Sequence, residues 1–178
     1  MGEDPTAGEA GVIFAEQETP MLSVTEHHYR ANLNWTGAAQ GPTRDYRGYS
    51  REYRVDFDGK PSITGSAEPA FLGDLKLLNP EEMLLMALSS CHMLSYLALA
   101  ALEGLEVVAY EDEPSGTVQQ QGNGGRFIEV TLRPRVVIAA GAHQGRAEDL
   151  HAEAHKTCFV SNSVNFPVRH QATITVAQ

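Results

Sequence analysis

The stretch NPEEMLLMALSSCHMLSYLALAALE, residues 79–103, constrains the fold most, because it has the length of a helix and no continuous polar face. Asn79 can cap such a helix, and Pro80 suits its first turn. Two carboxylates follow, where the positive end of the helix dipole favours them, and Gly104 provides a stop. A helix that is apolar on every side must be covered on every side, so we expect it at the centre of the molecule.

The same apolar run is nearly long enough to cross a bilayer. However, it contains three serines and a histidine, two acids precede it, and no basic residue adjoins either end. We therefore interpret it as a core helix and expect no membrane partner. Its centre holds Ser89, Ser90, Cys91 and His92. Cys91 is either a small buried hydrophobe, which is the commonest fate of a buried cysteine, or a reactive thiol.

The acidic balance of the chain narrows the possible functions. It has 23 Asp and Glu residues against 13 Lys and Arg, which argues against binding to nucleic acid or to an anionic membrane. We expect residues 1–20 to be a flexible N-terminal extension and residues 21–178 to form a single domain. Two cysteines are too few for a disulfide scaffold, and no secretory signal opens the chain, so we expect a cytoplasmic protein.

Hydrophobic periodicity places strands on both sides of the central helix. The order is strands, buried helix, strands, a second helix and a closing strand, which indicates an α+β fold with sheets and helices in separate layers. The predicted strands are 27–35, 62–67, 105–114, 115–121, 126–139 and 168–177, and the predicted second helix is 147–158. The sequence contains no phosphate-binding loop or nucleotide fingerprint, so no cofactor is expected.

Thiol chemistry at Cys91 would need a cation. A cysteine reacts as the thiolate, and burial in apolar surroundings raises its pKa. Arginine is the natural partner because it does not lose its proton. One segment, residues 43–59, holds the arginine cluster of this acidic chain: Arg44, Arg47, Arg51 and Arg54. These arginines are either ordinary charges of a solvated loop and edge strand, or one of them serves the thiolate.

A second cysteine, Cys158, could close a disulfide with Cys91 after the first thiol has become a sulfenic acid. Glu81 would be the natural carboxylate to hold the arginine in a bidentate pair. Ten residues of unbroken helix span roughly 15 Å, so Glu81 and Cys91 of one straight helix cannot share a site. Either the helix breaks between them, or one chain supplies the glutamate and another the cysteine. We favour a homodimer, because a partner chain also covers the apolar helix.

A metal site competes with this interpretation. His151, His155 and Cys158 fall on one face of the second predicted helix, at a spacing that zinc accepts. A single HxxxHxxC pattern is nevertheless a weak signal, and histidines on a polar helix are mostly solvated. We therefore expect no metal.

Two motifs carry a family resemblance. NPE with Cys91 ten residues after its glutamate, and the later HKTCFVSNSVNFPV around Cys158, together resemble the OsmC/Ohr family of thiol-dependent organic hydroperoxide reductases. The resemblance covers roughly residues 21–178. It implies an OsmC-like fold in which antiparallel sheets wrap around a buried central helix, in an intertwined homodimer with active sites at the interface. It also implies reduction of organic hydroperoxides to alcohols in the response to oxidative stress, with recycling by a dithiol such as a lipoyl group.

The same resemblance suggests roles for individual residues. Cys91 corresponds to the peroxidatic cysteine, Cys158 to the resolving cysteine and Glu81 to the glutamate that orients the catalytic arginine. Arg51 matches the family's arginine best, and Arg47 is the reserve.

The chain also departs from the Ohr pattern. Phe159 and Val160 stand where Ohr-type members have Pro-Tyr, and His92 replaces the usual aromatic residue. These departures indicate an OsmC-like branch rather than Ohr itself. The alternative to an enzyme is a non-enzymatic OsmC-like protein that senses redox state through its thiols or binds a small molecule.

Overall fold

The computed structural model describes residues 24–178, and Ala31–Gln178 form one compact unit. The predicted N-terminal extension, residues 1–20, lies outside the described residues. Residues 24–30 carry no regular secondary structure. The elements are β1 (Asn32–Asn34), β2 (Tyr53–Asp56), β3 (Ile63–Gly65), α1 (Pro80–Leu102), β4 (Val107–Asp112), β5 (Ser115–Gln121), β6 (Gly124–Leu132), β7 (Pro134–Ile138), α2 (Gln144–Thr157), β8 (Val168–His170) and β9 (Thr173–Val176).

The helix α1 begins and ends where the sequence predicts. The side chain of Asn79 accepts the N–H of Glu82 at 2.8 Å, and the carboxylate of Glu82 accepts the N–H of Asn79 at 3.0 Å. This reciprocal capping box contributes about 1 kcal/mol to helix stability. At the other end, Gly104 has φ 69°, a left-handed conformation that favours glycine. The helix is continuous from Pro80 to Leu102, which excludes the predicted alternative of a break within it.

The strands form three sheets of three strands each, in the orders β1-β2-β3, β4-β7-β9 and β5-β6-β8. The first sheet is antiparallel throughout. In the other two, β7 pairs in parallel with β9 and β6 pairs in parallel with β8. The α+β class is therefore confirmed, while two of the sheets are mixed rather than purely antiparallel.

Two segments predicted as single strands are each divided between two sheets. Residues 126–139 form β6 and β7, because Pro134 has no N–H for a ladder and the N–H of Arg133 is donated to Asp112 Oδ1 at 2.6 Å. Residues 168–177 divide in the same way into β8 and β9. In both segments the chain passes from the sheet β5-β6-β8 to the sheet β4-β7-β9.

Two further boundaries differ from the prediction. The predicted strand 27–35 is reduced to β1, and residues 24–31 are not in a strand. The helix α2 begins at Gln144 rather than at Ala147, because the ring Nδ1 of His143 accepts the N–H of Arg146 at 3.1 Å and acts as a cap. Histidine is not among the common capping residues, so this start could not be predicted from the residue type.

Each half of α1 packs against a different sheet. In its second half, Tyr96 and Ala100 lie in a core with residues of β7, α2 and β9. In its first half, Leu88 lies in a smaller core with Val130, Leu132 and Val168 of the sheet β5-β6-β8. Complete burial of a side chain such as Leu88 stabilises the fold by about 2 kcal/mol. The middle of α1 is therefore fixed between two cores.

Within one chain, α1 is covered along one side only. Its buried residues, Leu88, His92, Tyr96 and Ala100, recur at every fourth position. On another side, Leu94 is 62% exposed and Met86 is 49% exposed. The expectation that the helix is buried on every side is therefore wrong for the single chain. Among residues 24–178, α1 is the one helix with the length and composition to cross a membrane, criteria that core helices of soluble proteins also meet.

Candidate active site

The two cysteines lie side by side. Cys91 is in the fourth turn of α1 and is partly buried, and Cys158 is the C-terminal cap of α2 and is fully buried. Both thiols are free, and the Cys158 thiol lies close enough to Cys91 to raise its pKa. The backbone N–H of Cys158 bonds the carbonyl of Ala154 at 2.9 Å, so the last turn of α2 fixes this cysteine. The fold thus brings together two predicted site residues that are distant in sequence.

Contacts between α1 and α2 hold the thiols in place. The hydroxyl of Tyr96 donates to the carbonyl of Ala147 at 3.1 Å, and its ring stacks on His151 with centroids 4.1 Å apart. One residue after Cys91, the ring Nε2 of His92 lies 3.1 Å from Nδ1 of His151. Both histidines are fully buried. Because each contact joins one helix to the other, they set the separation of the two cysteines.

These histidines belong to a larger group that the sequence did not predict. His92, His151 and His170 stack in pairs at 5.4 to 5.8 Å between ring centroids, and His155 lies 6.1 Å from His170. Burial lowers the pKa of His92 to about 4 and that of His151 to about 3, with neighbouring imidazoles adding to both effects. At neutral pH both rings are therefore uncharged and pack as aromatic groups.

The histidine spacing had suggested zinc ligands as an alternative. Within residues 24–178, no group of three or more His, Cys, Asp or Glu side chains is arranged to hold a metal ion. His151 is instead enclosed between His92 and Tyr96. A single sequence pattern cannot separate a ligand set from an aromatic stack, because both place histidines on one helix face.

The surroundings of Cys91 shift the pKa of its thiol in both directions. Burial raises the pKa of this thiol, and the neighbouring Cys158 thiol raises it further. The backbone of Val160 and Phe159 lies close to Cys91 and lowers its pKa. No arginine among residues 24–178 of the same chain contributes to this pKa. One chain by itself therefore favours the neutral thiol.

Arg51, the predicted cation, has other partners within the chain. Its guanidinium donates to the backbone carbonyls of Tyr49 and Tyr46 and lies 3.9 Å from the centroid of the Tyr49 ring. The reserve candidate, Arg47, is exposed. The structure does not bring Arg51 to Cys91 of the same chain, and its predicted role stays a prediction.

Glu81 occupies the first turn of α1, ten residues before Cys91. Burial raises the pKa of Tyr53, and the charge of Glu81 raises it further, which places Glu81 beside this tyrosine. Tyr53 and Arg51 line one apolar cleft of about 610 Å³, together with Pro80 and Met83 on either side of Glu81. Arg51 and Glu81 therefore border the same end of α1. Because α1 is unbroken, roughly 15 Å separates this end from Cys91.

Comparison with known proteins defines the class. Residues 73–173 match the family described as OsmC-like protein, and this range includes α1, α2 and both cysteines. The structure superposes on an OsmC-like protein of unknown function from Vibrio cholerae with a TM-score of 0.76 and 32% identity, over 83% of this chain and 100% of the other. The chain belongs to the OsmC-like family.

Two further relatives are more distant. The protein YmaD of Bacillus subtilis is 25% identical over 157 residues, which is 86% of this chain and 97% of that protein. An organic hydroperoxide resistance protein from Elizabethkingia anophelis shares the fold with a TM-score of 0.61 and 18% identity, over 86% of this chain and 100% of the other. At this identity the second likeness shows the fold alone.

Proposed function

We propose that this protein is a thiol-dependent peroxidase that reduces organic hydroperoxides to alcohols. The observation that carries the proposal is the proximity of Cys91 and Cys158, which are the only two cysteines of the chain. The Cys158 thiol lies close enough to raise the pKa of Cys91. A disulfide between them needs little movement of the backbone, because the two thiols are already neighbours. Proteins named for organic hydroperoxide resistance share the fold.

The reaction balances as a two-electron cycle. The Cys91 thiolate attacks the terminal peroxide oxygen, an S–O bond forms as the O–O bond breaks, and the leaving alkoxide takes a proton and departs as the alcohol. The Cys158 sulfur then attacks the Cys91 sulfenic acid, the disulfide forms and water leaves. A dithiol reductant, such as a lipoyl group, returns two electrons and two protons. A reducing cytoplasm is part of the same proposal.

The cation in this scheme comes from a second chain. We infer a homodimer in which Arg51 and Glu81 of one chain lie against Cys91 of the other. Three features support it: the unbroken α1, the exposed side of α1 that carries Leu94, and the absence of any arginine contribution to Cys91 within residues 24–178 of its own chain. There the guanidinium would stabilise the thiolate and the developing charge on the peroxide oxygen.

The surroundings of Arg51 favour an organic peroxide over hydrogen peroxide. The cleft that it borders is lined by mostly apolar and aromatic side chains, among them Leu33, Trp35, Val55 and Met83. An alkyl or aryl tail gains about 0.8 kcal/mol for each buried methylene group, whereas hydrogen peroxide gains nothing from such a surface.

A stopped-flow assay with dithiol reductant and peroxides of increasing tail length tests the proposal. We expect kcat/KM to rise from hydrogen peroxide through tert-butyl to cumene and fatty-acid hydroperoxides. Cys91→Ser should abolish turnover, while Cys158→Ser should stop after one equivalent of alcohol in the absence of external thiol. Wild-type turnover by Cys91→Ser would contradict the proposal.

A redox-sensing or small-molecule-binding role is the second candidate, and the raised pKa of Cys91 within its own chain favours it. A sensor can react slowly, whereas a peroxidase must react faster than a free thiol. Equal second-order rates for Cys91 and a model thiol with cumene hydroperoxide would favour the sensor. A second-order rate at least about 10³-fold higher than that of the model thiol would favour the enzyme. Removal of one stabilising cation or donor from an active site changes the rate by about this factor.

A further inference from the structure

The turn that follows Cys158 faces both sulfur atoms with backbone donors. Val160 packs against the core that contains Leu88 of α1, and the N–H of Ser161 donates to the Cys158 sulfur at 3.5 Å. The backbone of Phe159 and Val160 also lies close enough to Cys91 to lower the pKa of its thiol. Backbone N–H groups that converge on one point favour negative charge there. This turn is therefore the part of the same chain that supports a thiolate at Cys91.

The side chain of Asn162 holds this turn against the end of α2. Its amide nitrogen donates to the carbonyl of Lys156 at 2.9 Å and to the carbonyl of Cys158 at 3.0 Å. Its own backbone N–H donates to the same Cys158 carbonyl at 3.1 Å. The carboxamide thus satisfies two carbonyls at the helix end that have no partner within the helix, and it ties the turn to the residue that carries the second thiol.

We propose that Asn162 is a positioning residue that keeps this turn packed against α1, with its backbone N–H groups beside the two thiols. Asn162 touches neither sulfur and acts through the turn. An alanine at this position would leave the Lys156 carbonyl to water and the Cys158 carbonyl with only the backbone N–H bond, so the turn would move more freely. The inference rests on the proposed function for its biological meaning, although its physical content concerns the Cys91 thiol alone.

The role has a direct physical consequence. A hydrogen bond to a charged acceptor is worth more than one to the neutral form, so donors that point at the sulfur favour the thiolate over the thiol. When the turn loosens, this preference weakens and the pKa of Cys91 rises. The neighbouring Cys158 thiol acts in the opposite direction, and Asn162→Ala leaves both cysteines in place.

The test is the pH profile of Cys91 alkylation by iodoacetamide in the full chain, followed by mass spectrometry of the Cys91 peptide. For Asn162→Ala we expect the apparent pKa of Cys91 to rise by about half to one unit and alkylation at pH 7 to slow about three- to tenfold. Asn162 is exposed, so the variant should keep the wild-type melting temperature. Asn162→Ser, which retains a donor at this position, should recover part of the shift.

Gln144→Ala is the matched control. It removes another side-chain amide bond to a backbone carbonyl, from Gln144 to Ile174 at 3.3 Å, at the opposite end of α2. An unchanged profile for Asn162→Ala, or an equal shift for Gln144→Ala, would overturn the proposal. Alkylation needs no peroxide, so this test is independent of the peroxidase assay. If the peroxidase assay failed but the alkylation profile of Asn162→Ala were shifted, the proposed function would be refuted and the role of Asn162 would stand.

Discussion

At the middle of α1, one chain brings both of its thiols together. At the first turn of α1, the same chain places an apolar cleft bordered by Arg51, and Glu81 lies in this turn beside Tyr53 of the cleft. The thiol end is closed by α2 and by a layer of buried histidines. The arginine end is open and carries exposed apolar side chains, such as Leu33 at 64%.

The difference between these two ends shows what one chain lacks. In the proposed mechanism, the thiol end would supply the nucleophile and the resolving cysteine but no cation. The arginine end would supply a cation and a carboxylate but no nucleophile. A rigid helix of this length keeps them roughly 15 Å apart. An antiparallel arrangement of two chains would place the arginine end of each beside the thiol end of the other, and both sites would be completed at once.

The largest expected effect follows from removing the cation. Arg51→Ala should lower kcat/KM for cumene hydroperoxide by about 10² to 10³-fold, the usual cost of losing one group that stabilises a charged transition state. The final extent of disulfide formation between Cys91 and Cys158 under excess thiol oxidant should be unchanged, because the variant keeps both cysteines. The kinetics are measured with a dithiol reductant in excess.

Arg47→Ala is the control for this variant, and it should change kcat/KM by less than about threefold. If Arg47→Ala caused the larger loss, the arginine end would still supply the cation but through a different residue. If neither variant lost activity, neither arginine would supply the catalytic cation, and the proposed role of the arginine end would be wrong.

The next effect concerns the exposed side of α1. Leu94→Glu should convert the dimer to monomer in sedimentation velocity, because burying an unpaired carboxylate in an apolar interface costs several kcal/mol. Peroxidase activity should fall with the dimer fraction. Leu75→Glu changes an even more exposed leucine, at 84%, in the loop before α1 and should leave the dimer intact. A wild-type protein that sediments as a monomer would contradict the inferred assembly.

The smallest effect is a dependence of stability on pH that arises at the thiol end. The folded pKa of His92 is about 4, below its usual value of 6.5, so the unfolded chain binds more protons between these values. The stabilisation is therefore complete above about pH 6.5 and is lost as the pH falls toward 4. The loss should be on the order of 3 kcal/mol for His92, as measured by urea unfolding at several pH values.

Two variants sharpen this prediction. His92→Gln cannot titrate and should flatten the fall in the free energy of unfolding between pH 6.5 and 4. His28→Gln changes a histidine with an 81% exposed side chain and should leave the fall unchanged. An equal response of both variants would mean that the buried histidines do not carry the pH dependence.

The sequence allowed accurate prediction where local chemistry decides the structure. The start of α1 follows from Asn79 and Glu82, whose side chains cap the helix within a few residues. The separation of Glu81 from Cys91 follows from helix geometry alone. The pairing of Cys91 with Cys158 was predicted from two motifs and their family resemblance, and the fold brings these thiols together.

Prediction failed where distant residues compete for the same groups. The predicted strand 126–139 divides at Pro134, a residue that could have signalled the break. The other cause is the bond from the Arg133 N–H to Asp112, which lies 21 positions earlier in the chain. The histidine stack forms because α1, α2 and β8 meet in space. In the sequence, only the spacing of the histidines within α2 is visible, and this spacing does not predict the stack. The Tyr46 and Tyr49 carbonyls that bind Arg51 are likewise visible only in the fold.

The most direct test of a site shared between chains is subunit complementation. Arg51→Ala chains and Cys91→Ser chains are mixed in equal amounts, unfolded and refolded together, and assayed with cumene hydroperoxide. A shared site predicts recovery of about one quarter of wild-type activity, because half of the dimers are mixed and each mixed dimer has one intact site. Activity no higher than the sum of the two separate variants would contradict the account.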